Sequence, residues 1–259
     1  MTHPLIENLA TVAKQFAANR TERQLRRELD AADFSAIRKA GYLNVAVPES
    51  DGGYWQSGKK STRLICEALR TLAHGDSSVA LVSAMHPAVL SYWLAAPEEA
   101  SQCETFEQQT QSIIAGVQAG DWWGTITSEP GSGGDVMKTR MTATAMGDPH
   151  QYLLTGDKHF GSGSGMLRYM VTTARVVGAE TPDWFYLDMQ DVPWDGSQGV
   201  TLLGEWDGHG MTATQSHSLR FHEVPATRIA WEGHLAEIAV TSGPLIGCMF
   251  TAVIVGIID

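Results

Sequence analysis

DWWGTITSEPGSGGD, residues 121–135, is where the chain changes character. Upstream of it, apolar residues recur at helical spacing. Leu5, Ile6, Leu9, Val12, Ala13, Phe16 and Ala17 form one such face. Asp33 is placed to cap a second helix that closes at Gly41. Ser61 is placed to cap a third, with Leu64, Ile65, Ala68, Leu69 and Leu72 on one side, His74 in its last turn and Gly75 beyond. Ser77 or Ser78 opens a fourth, running to about Leu94, and a fifth fits between Glu98 and Ala119. Between the second and third lie a strand-like apolar stretch, YLNVAVPE (42–49), and the turn-rich DGGYWQSG (51–58).

Downstream, Gly, Thr, Val and Trp become frequent and the runs shorten to strand length. The predicted strands are WWGTIT (122–127), RMTATA (140–145), QYLLTG (151–156), YMVTTARV (169–176), DWFYLD (183–188) and SLRFHEV (218–224). Gly147-Asp148-Pro149 is a turn between two of them. After Glu232 the helical texture returns. The expected fold class is multi-domain α and β. An all-α region spans 1–121, a small β-barrel or sandwich spans 122–232, and 233–259 reads as the start of a C-terminal helical bundle. Strands and helices do not alternate, which argues against a Rossmann fold.

Composition narrows the function. The chain has 259 residues, with 18 Lys and Arg against 29 Asp and Glu, for a formal charge of −11. Nucleic acid is therefore not an expected partner, because phosphate binding needs a basic footprint. The three cysteines, Cys66, Cys103 and Cys248, form no pair motif, so neither a disulfide framework nor a cysteine metal centre is expected. A reduced, cytoplasmic location follows from that reading. MTHPLIENLA lacks the basic and apolar succession of a secretory signal. The uncharged run from Ile238 to Ile258 has the length of a membrane span. Thr241, Ser242, Gly243, Pro244, Gly247 and Gly256 interrupt it and no basic cluster flanks it, so a buried core helix is expected instead of a membrane anchor.

Several motifs dissolve on inspection. Gly53, Gly58 and Lys59 have the spacing of a phosphate loop, but Lys60 stands where Ser or Thr would hold magnesium. In GSGSG (161–165) the serines are out of phase for a nucleophile elbow. His217 and His222 would face opposite sides of one strand, so no metal site is expected. Two loops remain. Thr127-Ser128-Glu129-Pro130-Gly131-Ser132-Gly133-Gly134-Asp135 follows a strand. It reads either as a surface turn or as a cradle whose backbone N–H groups approach an anion. Gly156-Asp157-Lys158-His159-Phe160-Gly161-Ser162-Gly163-Ser164-Gly165 has the same logic, with one aromatic and one hydroxyl before flexible glycines. Together they would suit a flat heterocycle with a phosphate tail.

With these residues in view, the chain resembles the acyl-CoA dehydrogenase family of flavoproteins. DFSAIRKAGYLNVAVPESDGG (33–53) is similar to its N-terminal helices, and TSEPGSGGD (127–135) to its Thr-Glu-Pro-Gly-Ala-Gly-Ser-Asp loop. GDKHFGSG (156–163) resembles its Gly-x-Lys-x-Trp/Phe-Ile-Thr/Ser-Asn-Gly loop, and SLRFHEVPATRI (218–229) the strand that closes its middle domain. The motifs occur in the family's order.

The resemblance implies FAD against the middle domain. Thr125, Thr127 and Ser128 would meet the pyrimidine side of the flavin, and Ser132, Gly133 and Gly134 would approach the pyrophosphate. Phe160 would lie by the ring, Gly161 would line it, and Ser162 would sit near the reactive N5 edge. Gly134 replaces a usual Ser, losing a hydroxyl contact. Gly161 replaces a branched residue, which predicts a looser wall. The family's catalytic carboxylate belongs to the C-terminal bundle, so no catalytic residue is assigned here. The apolar tail, residues 245–258, would be buried all round inside that bundle. The implied activity is FAD-dependent desaturation of an acyl-CoA thioester by an incomplete chain, with an electron-transfer flavoprotein as acceptor and a homo-oligomer or complementing chain as assembly. The alternatives are a flavin monooxygenase of the same fold and a non-catalytic, partner-completed subunit. Some relatives resemble a DNA-alkylation response protein, a role that the acidic balance does not support.

Overall fold

A computed structural model describes residues 2–259. Helices occupy the first half: α1 (Pro4–Ala18), α2 (Arg20–Leu25), α3 (Ala31–Lys39), α4 (Gly58–Gly75), α5 (Ser77–Leu94), α6 (Glu98–Ser101) and α7 (Glu104–Ala119). The strands follow: β1 (Trp123–Thr125), β2 (Thr142–Ala145), β3 (Gln151–Gly161), β4 (Tyr169–Val176), β5 (Asp183–Asp188), β6 (Val200–Gly204) and β7 (His217–Arg228). One long helix, α8 (Leu235–Ile258), comes last. The predicted order of helices, strands and helix is the observed one.

Local chemistry moves several boundaries. Asp30, not Asp33, caps α3, accepting from the Ala32 amide at 2.8 Å. Asp33 is instead drawn into a buried ion pair with Arg23, which also binds Asp76. Ser57 caps α4, while Ser61 turns back to accept from the Gln56 and Ser57 amides. Asp76 caps α5 by accepting from the Val79 amide. The apolar stretch 42–46 is a 3-10 helix rather than a strand, since it has no sheet edge to join. The fifth predicted helix breaks into α6 and α7 around Cys103. Gly53 serves close packing, not phosphate: a Cβ there would sit 2.0 Å from the Val47 carbonyl.

The strands close into a barrel. Around the ring β4 meets β2, β2 meets β3, β3 meets β7, β7 meets β5, and β5 returns to β4. β1 runs parallel to the start of β4, and β6 pairs with the start of β7. β3 is longer than its sequence suggests. It continues through residues 156–161, expected as loop, because β7 supplies partners that far, with bulges at Leu154/Gly156 and Lys158/Gly161. His217 is buried and His222 exposed, on opposite faces of β7.

The helical and β regions meet at the Trp-Trp pair. Trp122 packs on Phe34, Tyr42 and His86. Trp123 packs on Trp93, Tyr169 and Tyr186. The Trp123 amide donates to His86 Nδ1 at 3.2 Å. Complete burial pushes that imidazole down to about 3, so it is a neutral fixture of the core. Its host helix α5 is buried nearly all round and touches α4, α8 and β1.

α8 is the one helix long and apolar enough to cross a membrane among the described residues. It packs on α4 and α5 instead. Leu235, Ile238, Ser242, Leu245, Met249, Ala252, Val253 and Gly256 are buried, at the three- and four-residue steps of a single apolar seam. Burial all round is not observed: Val240, Ile254, Ile257 and Ile258 are exposed, because only one side of the helix meets α4 and α5.

The seam is close-packed. A Cβ at Gly256 would lie 2.3 Å from the Arg70 carbonyl and 2.9 Å from Ala73 Cβ, whereas a Cβ at Gly247 meets nothing within 4 Å. Gly256→Ala is therefore expected to cost about 1–3 kcal/mol through overpacking. Gly247→Ala is expected to stabilise by up to ~1 kcal/mol through helix propensity. Urea unfolding of the two variants measures the contrast.

Candidate functional site

The buried ion pair Glu129–Lys158 organises the site. Lys158 lies on β3 with no exposed surface. Its Nζ donates to Glu129 Oε1 at 2.8 Å, to Thr139 Oγ1 at 3.0 Å, and more loosely to the Thr127 carbonyl and Thr173 Oγ1. Glu129 also accepts from the Thr139 hydroxyl and from the Arg140 and Met141 amides. Burial alone would raise the Glu129 carboxyl, but hydrogen bonds from Lys158, Thr139 and Arg140 outweigh it and hold the group below the usual glutamate value. Burial lowers the Lys158 ammonium against the pull of Glu129.

This pair ties the TSEPGSGGD loop to β3. The His159 amide donating to the Ser128 carbonyl at 2.8 Å adds a second tie. Ser132 closes the loop on itself: its buried hydroxyl donates to the Glu129 carbonyl and accepts from the Gly134 amide. Gly134 has φ +82 with open space around it. Glycine stands there for backbone conformation, and a serine would be strained whatever the room.

Between this loop, β3, α5 and α8 lies a cavity of about 430 Å³. Thr125, Thr127, Ser128, Gly134, Phe160 and Ser162 line its barrel side. Leu81, Met85, Ala88, Val89 and Tyr92 of α5 face it, with Ile246 and Phe250 of α8. Six of the nine predicted site residues thus share one cavity. Ser132, Gly133 and Gly161 do not line it: Ser132 is turned into its own loop, and Gly161 is packed underneath. The wall at Gly161 is not looser, since a Cβ there would meet Ile126 Cδ1 and Ser164 Oγ at 2.7 Å. Ile126 and Ser164 fill the space that a side chain at 161 would need.

Phe160 is held at φ +57 while 59% exposed. A non-glycine residue in the left-handed region is strained, and this one turns an aromatic ring outward at the cavity, edge-on to Trp206 at 6.1 Å. Ser162 Oγ lies 2.8 Å from Ser216 Oγ, and Ser216 Oγ lies 2.8 Å from Thr214 Oγ1. The α5 and α8 wall and the Ser216–Thr214 pair were not singled out in the sequence. Glu129 and Lys158 stood inside both quoted loops, but nothing in one dimension shows that they meet.

A larger groove of about 1080 Å³ lies elsewhere, between α1 and α4. Its Arg63 and Arg70 are already paired with Glu67 and Asp259, and it contains none of the loop residues above. Among the described residues no cluster of His, Cys, Asp and Glu could hold a metal, and all three cysteines are free.

Residues 124–224 match the acyl-CoA dehydrogenase middle domain. Through this stretch the chain is similar to the acyl-CoA dehydrogenase family. A dibenzothiophene monooxygenase of Mycolicibacterium goodii is 26% identical over 234 residues, 85% of this chain and 52% of that protein. Among solved structures, FMN-bound TdsC from Paenibacillus sp. A11-2 superposes with a TM-score of 0.77 at 24% identity, covering 98% of this chain and 62% of that one. Butyryl-CoA dehydrogenase from Megasphaera elsdenii superposes at 0.75 with 20% identity, covering 99% and 66%. At those identities the superpositions show the acyl-CoA dehydrogenase fold. The chain spans about half the length of the curated relatives it matches.

Two outcomes follow. Lys158→Met leaves a buried carboxylate without its cation and is expected to cost about 3–5 kcal/mol. Because the folded Glu129 carboxyl is depressed, its stabilisation is present above the ordinary glutamate value and lost as pH falls through the folded one. Removing Lys158 raises that folded value, so the variant is destabilised most near neutral pH and its stability falls less steeply with acid than that of the unsubstituted chain, read by urea unfolding across pH. Phe160→Gly relieves left-handed strain at an exposed position and is expected to gain ~1 kcal/mol of stability, read as a higher thermal midpoint.

Proposed function

We propose that this chain is the flavin-holding part of a flavin-dependent monooxygenase of the acyl-CoA dehydrogenase fold. Its substrate is an uncharged, apolar molecule. The observation that carries this reading is the division of the 430 Å³ cavity. Its barrel side offers hydroxyls and a strained aromatic ring; its α5 and α8 side is aliphatic, thioether and aromatic, with the Tyr92 phenol its one polar group. Such a cavity accepts a flat ring with polar edges on one side and an apolar partner on the other. Similarity to the dibenzothiophene monooxygenase supports the same reading.

Thr125, Thr127 and Ser128 would hold the pyrimidine edge of the flavin, and Ser162 its N5 edge, with Phe160 beside the ring. Gly133 and Gly134 would approach a phosphate, while Ser132 and Gly161 shape the loop and strand behind them. A bound flavin supplies two-electron chemistry at N5. The chain's residues orient it, and the α5 and α8 side chains keep water away. The cofactor expectation is FAD, and FMN is the competitor to test beside it. The division of the chain at 1–121, 122–232 and 233–259 belongs to the same proposal, as does a cytoplasmic, oligomeric or partner-completed enzyme.

The second reading is desaturation of an acyl-CoA thioester with transfer to an electron-transfer flavoprotein, favoured by the fold shared with butyryl-CoA dehydrogenase. The resemblance puts its carboxylate base in the C-terminal bundle and not among the residues that line this cavity.

The test is titration of FMN and FAD into the purified chain by tryptophan quenching. Two reactions follow. Oxygen uptake with externally reduced flavin, stimulated by indole or dibenzothiophene, supports the monooxygenase. Anaerobic bleaching of bound flavin by butyryl-CoA supports the dehydrogenase instead. Flavin binding with neither reaction points to the partner-completed subunit, and no flavin binding removes all the flavin readings.

A further inference from the structure

Resting on the flavin reading of the cavity, we infer that Ser216 and Thr214 are positioning residues that oblige Ser162 to present its hydroxyl proton to the cavity. Three hydroxyls stand in line. Thr214 Oγ1 is 2.8 Å from Ser216 Oγ, which is 2.8 Å from Ser162 Oγ. Thr214 is completely buried, Ser216 is 7% exposed, and Ser162 is 8% exposed at the cavity wall. A hydroxyl carries a single proton and must donate it somewhere when buried.

The direction of the line follows by elimination. Among the described residues, Thr214 Oγ1 has Ser216 as its only hydrogen-bond partner, so it donates there. Ser216 has two oxygen neighbours and already accepts from one, so its proton goes to Ser162. Ser162 accepts that bond and has no other partner among the described residues. Its own proton is left for whatever occupies the cavity. The opposite polarity would strand the Thr214 proton in a fully buried place, the arrangement folded proteins avoid. Backbone bonds hold the line in place: the Gly163 amide donates to the Thr214 carbonyl at 2.8 Å and the Ser162 amide to the Phe160 carbonyl at 2.9 Å.

A fixed donor selects its ligand. It favours an atom with a free lone pair, such as an unprotonated ring nitrogen or a ring carbonyl. An oxidised flavin offers an unprotonated N5; the reduced ring carries N–H there and would confront the Ser162 proton with another. The line therefore favours the oxidised over the reduced flavin, and Ser216 does so without touching it.

The experiment measures dissociation constants for oxidised and reduced flavin, and the bound flavin's reduction potential, in the full chain and its variants. Thr214→Val lets Ser162 donate back to Ser216 and is expected to weaken oxidised-flavin binding about five- to tenfold, as loss of one buried hydrogen bond does. It is expected to leave reduced-flavin binding nearly unchanged, so the potential rises. Ser216→Thr keeps the hydroxyl and both values. Ser216→Ala gives a smaller change, because it removes the alternative acceptor together with the donor and leaves the Ser162 proton no partner but the cavity. In a Ser162→Ala background, neither Thr214→Val nor Ser216→Ala is expected to have a further effect. An equal effect in that background, or equal weakening of both redox states, overturns the inference and marks Thr214 and Ser216 as merely structural. The thermal midpoints of the same variants identify any that fail to fold; Ser216→Thr and Thr214→Val then carry the comparison. If the unsubstituted chain binds no flavin, the cofactor reading falls and takes this inference with it. If it binds flavin and the variants do not differ, this inference alone falls.

Discussion

Lys158 is buried without an exposed atom, and the cavity exists because of what that burial requires. An ammonium in the barrel wall must find a carboxylate and further acceptors. Glu129, Thr139, Thr173 and the Thr127 carbonyl converge to provide them. Meeting that demand draws the Gly-rich loop onto β3. The loop brings Thr127, Ser128 and Gly134, and β3 leads to Phe160 and Ser162. A buried pair of this kind adds little net stability, since desolvation offsets the attraction. Its effect is on register: a one-residue slip of β3 would carry Lys158 to the other face and separate the two halves of the cavity.

The opposite wall depends on α5. A helix apolar on every side has no solvent face and must be enclosed. Here it is enclosed by α4, α8 and β1, with Trp122 and Trp123 locking the β region against it on either side of His86. That is why Leu81, Met85, Ala88 and Tyr92 can form a dry wall opposite a row of hydroxyls. The contrast between the walls arises from two different packing demands, one ionic and one apolar, satisfied a few ångströms apart.

The same scaffold serves more than one chemistry, so the fold cannot choose between oxygenation and desaturation. The site argues more locally. Among the described residues, Phe160 is one of five non-glycine residues with positive φ and the one that lines the cavity, and donor direction at Ser162 is set by residues behind it. Both favour a planar group that offers acceptors at one edge. The uncharged α5 and α8 side is what the proposed apolar substrate rests on.

The sequence alone determined the order of architectures. Helical periodicity gives way to short β-rich runs at Trp122, and α8 announces itself by its uncharged length. The resemblance carried by the two loop motifs implied that Thr125, Thr127, Ser128, Phe160 and Ser162 face one ligand, whereas the turn residues alone left a surface turn equally open. Residue spacing left other things undetermined. Asp33 and Ser61 have capping chemistry, but Arg23 and the Gln56 and Ser57 amides claim them for other contacts. β3 outruns its sequence signal because β7 lies alongside it. The Glu129–Lys158 pair, the Ser216–Ser162 contact and the apolar wall join residues 29 to over 100 positions apart. Periodicity and turn chemistry act over a few residues and are written in the sequence. Which distant groups share a buried space is decided only when the folded chain excludes water from between them.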